Sequence, residues 1–313
     1  MSATIIDGKM LAEKLKEKAR EIVLLMKEEK LNPRLCVIMV GNDPASSVYV
    51  RQKEKACAEI GLESIIERLP EECSQQSLEA IIDQYVEDED TAGVMLQLPV
   101  PPHIDVGKAM KHIPAYKDVD GFGVVNTGHL WLGHDVKNYP CTPAGIMFAL
   151  KETGIDLAGK NVVIVGRSNI VGKPLAALML NENATVTICH SKTQCLSHIT
   201  ARADVLISAV GIPNFIKWHM VKRDAVVIDV GINRVNGKLC GDVDYDNVKE
   251  VASYITPVPG GIGPLTVAQL MLNTAQSAWQ QRDIMRFKKT HLKGVLEWAK
   301  SLSQETSMEV TKN

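Results

Sequence analysis

A chain of 313 residues, 45% hydrophobic and 23% charged, is long enough for two cores sharing a cleft and has an ordinary globular composition. Its formal net charge of −2 excludes the electrostatic footprint of a nucleic-acid or anionic-membrane binder. The seven cysteines are scattered without a C-x-x-C pair, and the opening residues read as neither leader nor membrane span, so no disulfide framework, zinc site or membrane is expected, and a cytoplasmic location is.

Met10 to Met26 sets Leu11, Leu15, Ile22 and Leu25 among Lys and Glu, the pattern of an amphipathic scaffold helix. Leu35 to Val40 reads as a strand, and Gly41-Asn42-Asp43-Pro44 as a turn that caps a helix from about Ala45. On that helix Tyr49 and Lys53 are four apart, so the phenol and the ammonium project from one face. The same spacing also suits a solvated lysine beside a surface tyrosine. Ile65 to Leu69 is a strand, Ser77 to Val86 a helix, and Gly93 to Leu98 a strand running into a proline-rich rim. Ligands of open α/β sheets gather at the carboxyl ends of strands, which makes Gln97 a cleft residue able to orient Lys53. In Lys117-Asp118-Val119-Asp120-Gly121 one of the two acids can face a ligand, while such acids also form plain Asx-turns. His129 and His134 lack an acid or cysteine at ligand spacing and are assigned to a loop, with no metal expected. Thr142 and Pro143 read as the N-cap and first position of a helix over Ile146 to Lys151, the hinge into a second unit.

Asn161 to Pro174 organises that second unit. Val162 to Val165 form a buried strand ending at Gly166, and Gly172 with Pro174 opens a helix, so backbone N–H groups and the helix dipole meet where a pyrophosphate can bind. The loop Gly166-x-Ser168-x-x-x-Gly172 is one residue longer than G-x-G-x-x-G, with Ser168 where a second glycine would stand. The next strand, Thr185 to Cys189, ends in His190-Ser191-Lys192-Thr193 and carries no acid for a ribose hydroxyl. Ser191 and Lys192, with Arg167, suit a 2′-phosphate, which favours NADP over NAD. Val205 to Val210 and Ala225 to Val230 continue the alternation into a doubly wound parallel sheet. A proline- and glycine-rich loop, Thr256 to Thr266, lets backbone approach a ligand before a helix over Val267 to Gln280. Leu292 to Ala299 suggest one more short helix, with Ser301 to Asn313 frayed.

Taken in order, Asp43 to Lys53, Gln97-Leu98-Pro99-Val100-Pro101, Lys117 to Gly121, Pro140-Cys141-Thr142-Pro143, Gly166-Arg167-Ser168 with Gly172-Lys173-Pro174, and Pro257-Val258-Pro259-Gly260-Gly261 resemble the bifunctional methylenetetrahydrofolate dehydrogenase/methenyltetrahydrofolate cyclohydrolase (FolD) family. The resemblance runs from about Thr4 to Trp279. It implies a two-domain α/β fold: a folate-binding catalytic domain over 1–140 completed by about 265–285, a Rossmann-like NADP-binding domain over 141–264, and a tail over 286–313. It also implies a homodimer, NADP as cofactor, and a folate substrate that is oxidised and then hydrolysed in one cleft. Carried over residue by residue, Lys53 is the central group of hydrolysis, Gln97 holds its nitrogen, Tyr49 packs on the folate and Asp120 binds the pterin. Leu98, Pro259, Gly260 and Gly261 border the folate. Gly166, Arg167, Ser168, Gly172 and Ser191 bind the cofactor, with Ile232 on its nicotinamide side. Short-chain reductases also use Y-x-x-x-K, but there the nucleotide loop comes first, whereas Tyr49 here precedes Gly166.

Overall fold

The computed structural model describes residues 2–283. A two-residue strand β1 (Thr4–Ile5) leads into helix α1 (Gly8–Glu28), whose first N–H groups are capped by the Asp7 carboxylate. Strands β2 (Arg34–Val40), β3 (Glu63–Leu69) and β4 (Thr91–Leu96) then alternate with helices α2 (Pro44–Ile60) and α3 (Gln75–Glu87). They form a parallel sheet in the order β3-β2-β4. Successive residues of β2 enter different cores, as a two-residue period requires: Leu35, Val37 and Met39 pack with Leu11 and Leu15 of α1, while Cys36, Ile38 and Val40 pack with Leu78 and Ile82 of α3.

Short helices α4 (Val106–Lys111) and α5 (Val124–Trp131) precede α6 (Cys141–Glu152). The second sheet follows with β5 (Asn161–Val165), α7 (Gly172–Asn181), β6 (Thr185–Cys189), α8 (Leu196–Thr200), β7 (Val205–Ser208) and β8 (Val226–Asp229). A hairpin of β9 (Asn233–Val235) and β10 (Lys238–Cys240), helix α9 (Tyr245–Val248) and strand β11 (Tyr254–Ile255) lead to a last described helix, α10, over residues 262–283. The six-stranded order is β1-β11-β8-β7-β5-β6, parallel throughout. Val162 and Ile164 of β5 face one side with Leu175 and Ile146, and Val163 and Val165 the other with Leu206 and Val227. The α/β class with two parallel sheets stands as expected. Strand β1, within the segment 1–140 expected in the first domain, pairs instead at the edge of the larger sheet, Thr4 opposite Tyr254.

Three local expectations are corrected. His129 lies in α5 and not in a loop: the fully buried Leu130, docked on α7 through Asn181 donating to its carbonyl, holds the helix despite Gly128. Helix α6 begins at Cys141 with Pro140 at its N-cap, because the Pro140 carbonyl accepts the first helical bond, from Ala144. Thr142 is thereby inside the first turn, its hydroxyl 3.0 Å from that of Thr266. Gln97 stands just beyond β4, its N–H bonded to the Ile38 carbonyl at 2.8 Å. The expected helix around Leu292 and the tail lie outside the described residues.

Candidate active site

Helix α2 starts cleanly because Pro44 needs no N–H partner there and Asp43 accepts the Ser46 N–H at 2.7 Å. Val50, Cys57 and Ile60 make its buried stripe, and Lys53 falls on that stripe by helical spacing. A lysine at a core position is the sequence signal that lifts it above a surface lysine. Its Nζ donates to Gln97 Oε1 at 2.8 Å and approaches Met95 Sδ at 3.4 Å. Gln97 is 8% exposed, and its Nε2 donates to the Leu98 carbonyl at 2.6 Å, which turns Oε1 toward the lysine. Tyr49 sits one turn earlier on the same helix, its ring partly open to solvent.

The two acids of Lys117 to Gly121 separate cleanly. Asp118 is fully buried and accepts the N–H groups of Gly121, Phe122 and Gly123 and the Asn126 amide, so its oxygens are spent on holding the turn. Asp120 is left within electrostatic reach of Lys53. Burial lowers the Lys53 pKa, with Asp120 opposing that shift, and burial raises the Asp120 pKa, with Lys53 opposing it. Desolvation outweighs attraction for both groups, so each is displaced toward its neutral form. The thiol of Cys141, pushed up by burial and then by Asp120, donates to the Val119 carbonyl at 3.4 Å.

The nucleotide-type residues gather at the other sheet's carboxyl edge. A side chain on Gly172 would fall on the Gly166 carbonyl oxygen, so the turn from β5 to α7 closes only with glycine there. Ser168 does not leave the loop open as a second glycine would: its hydroxyl accepts the Val171 N–H at 3.1 Å and the Gly172 N–H at 3.4 Å. Arg167 and Ser191 are exposed beyond β5 and β6, and Ile232 is exposed beyond β8, its Cδ1 close to Gly263. Pro259 follows a cis peptide, Gly260 has φ +102°, and Gly261 lies against the first residue of α1. Two buried acids at this edge, Asp229 and Asp242, went unnoticed in the sequence; an aspartate closing the apolar run Ala225 to Ile228 was the available signal.

A parallel sheet with a glycine-built turn at its carboxyl edge, joined to a unit that buries a lysine against an amide and an acid, defines a two-unit α/β enzyme of the dinucleotide-binding class. Residues 6–120 match the profile described as the tetrahydrofolate dehydrogenase/cyclohydrolase catalytic domain, and residues 140–282 that of the NAD(P)-binding domain. The bifunctional protein FolD of Halalkalibacterium halodurans is 52% identical over 278 residues, 89% of this chain and 99% of the relative. The crystal structure of the bifunctional FolD from Campylobacter jejuni aligns at a TM-score of 0.88 with 46% identity, over 89% of this chain and 99% of that one. The Trypanosoma brucei FolD, solved with NADP cofactor and inhibitor, aligns at 0.86 with 37% identity, over 90% and 98%. The chain belongs to the tetrahydrofolate dehydrogenase/cyclohydrolase family.

Proposed function

We propose that this chain oxidises 5,10-methylenetetrahydrofolate to 5,10-methenyltetrahydrofolate with NADP and then hydrolyses that cation to 10-formyltetrahydrofolate in the same cleft. The observation that carries the reading is Lys53, half-buried, with Nζ held at 2.8 Å by Gln97 Oε1 beside Asp120. Hydrolysis needs a base that is partly neutral, and burial supplies one by lowering the lysine's proton affinity. Lys53 Nζ takes a proton from the water that adds to the amidinium carbon and returns it to N5 as the bridge carbon–N5 bond breaks, which leaves the formyl group on N10. Gln97 holds one Lys53 N–H and so directs the remaining lone pair. Asp120 accepts paired N–H donors from the pterin, which favour its ionised form against the burial that raises its pKa, and Tyr49 packs on the folate. Leu98, Pro259, Gly260 and Gly261 border the substrate.

The residues present fit NADP. Gly172 leaves the turn into the ten-residue helix α7 without a side chain, and Arg167, Ser191 and Lys192 offer a guanidinium, a hydroxyl and an ammonium with no carboxylate among residues 190–193. When bound, NADP supplies the acceptor for the hydride leaving the one-carbon bridge. Gly166, Arg167, Ser168, Gly172 and Ser191 would hold it, with Ile232 toward its nicotinamide. The folate-binding unit is 1–140, apart from strand β1 on the larger sheet, completed by α10 up to residue 283, and the cofactor unit is 141–264. The protein works as a cytoplasmic homodimer joined through the cofactor units; the edge strand β6 and the exposed Leu180 beside it support that surface, and among the described residues no helix is long and apolar enough to cross a membrane.

The test is Lys53→Met. Methenyl decay followed by absorbance should fall at least about a hundredfold, with NADP affinity measured by calorimetry retained. Equal hydrolysis in variant and parent would overturn the role of Lys53.

A further inference from the structure

The carboxyl edge of the larger sheet is built on two buried carboxylates that the catalytic scheme does not use. Asp242, fully buried after β10, receives donors on both oxygens. Its Oδ2 accepts the N–H groups of Val210 at 2.7 Å and Gly211 at 3.1 Å and the Ser208 hydroxyl at 3.3 Å. Its Oδ1 accepts the Ile212 N–H and the Asn233 amide, each at 3.0 Å. Asp229, the last residue of β8, accepts the N–H groups of Gly231, Asp242 and Val243, all at 2.9 Å. A side chain on Gly231 would fall on Asp242 Oδ1, and one on Gly241 would fall on Asp229 Oδ2, so the backbone closes around both acids.

These bonds go to particular places. Val210, Gly211 and Ile212 form the loop leaving β7, and Asn233 follows Ile232 on the segment leaving β8. In a parallel sheet of this kind those two loops wall the crevice where a dinucleotide lies. Three consecutive backbone N–H groups converging on one carboxylate fix the first loop, and the Asn233 amide on the same carboxylate ties the second to it. Asp229 completes the chain: its own N–H donates to Thr256 Oγ1 at 2.7 Å, next to the loop that carries Pro259 to Gly261.

We propose that Asp242 is a positioning residue for the dehydrogenase step, setting the spacing of the loops after β7 and β8 between which the nicotinamide end of the cofactor lies. The inference rests on the NADP-dependent function proposed above. It separates two roles that a structural acid would mix, because Lys53, Gln97 and Asp120 lie in the other unit and no hydrogen bond of Asp242 reaches them.

Asp242→Asn is the informative change. The amide is isosteric, yet whichever way it turns, its NH₂ faces two N–H groups that the carboxylate accepted. The expected result is a rise of about tenfold in KM and Kd for NADP, the scale of one lost charge-assisted contact, with cyclohydrolase activity on supplied methenyltetrahydrofolate, measured without cofactor, within about twofold of the parent. Asn233→Ala, which removes only one donor from a half-buried side chain, should raise the NADP Kd about threefold without moving Tm, and it decides the matter if Asp242→Asn does not fold. Unchanged NADP affinity in the folded variants, or a parallel fall of both activities, overturns the proposal. A parent enzyme that neither binds NADP nor reduces it overturns the functional reading itself, a different outcome from an active parent with unaltered variants.

Discussion

Among single residues, burial decides which charges survive. Lys53, Asp120 and Asp118 are all displaced toward neutrality because desolvation exceeds what favours their charged forms, mutual attraction for the first two and three backbone N–H groups with an amide for Asp118. Asp229 offers the cleanest thermodynamic consequence. Burial pushes its pKa from 3.8 up to about 6 against the opposing pull of its three N–H donors. The folded state therefore holds that proton more tightly than the unfolded chain. The associated stability is present below about pH 4 and is lost as pH rises to about 6, amounting to about 3 kcal/mol. Asp229→Asn cannot ionise, so the gap in unfolding free energy between parent and variant should shift by that amount between pH 3 and pH 7, read from urea midpoints. A constant gap would refute it. Lys53 and Gln97 were legible in the sequence through helix spacing and strand ends. The tasks of Asp229 and Asp242 were not, since most of their donors are backbone N–H groups that only the fold brings together, and an aspartate looks the same in a string whether water or peptide surrounds it.

Among elements, strands β2, β4 and β5 were readable because both their faces are buried and their apolar runs are continuous, and they lie close to where those runs place them. Strands β1, β9, β10 and β11, of two or three residues, carry too few positions for any periodicity and exist because of their partners. The junction of α1 with the Pro257 to Gly261 loop was equally invisible: Gly8 is needed because a Cβ there would collide with the Gly261 carbonyl oxygen. Gly8→Ala should cost about 2 kcal/mol and push that loop outward, raising KM for the folate more than KM for NADP. Thermal unfolding and steady-state kinetics would show it; an unaltered Tm would mean that the loop yields freely.

Across the whole molecule, α10 closes the folate-binding unit by hydrogen bonds, while the apolar core carries the contact between the two sheets. Asn273 donates to the Val119 carbonyl at 2.9 Å and the Tyr139 carbonyl at 2.8 Å, and Gln281 donates to the carbonyls of Ala92 and Tyr116. One apolar cluster runs from Leu35 and Met39 of the small sheet through Ile146 and Leu265 to Val162 and Ile228 of the large one. Asn273→Leu leaves the Tyr139 carbonyl without its donor and the buried Gln269 amide without its acceptor, so stability should fall by about 1–3 kcal/mol and both activities, which share the folate site, should drop together, in contrast to Asp242→Asn. Loss of only one activity would show that α10 does not hold the site that both reactions share. The pairing of β1 with β11 adds a consequence in time. Thr4 and Tyr254 are about 250 residues apart, so this edge is the longest-range contact in the larger sheet. Closing so long a loop adds little to the equilibrium cost, because that cost grows only with the logarithm of length, but it delays the contact. During synthesis the first strand emerges long before its partner exists, and the sheet's outer edge is sealed only after the other strands are in hand.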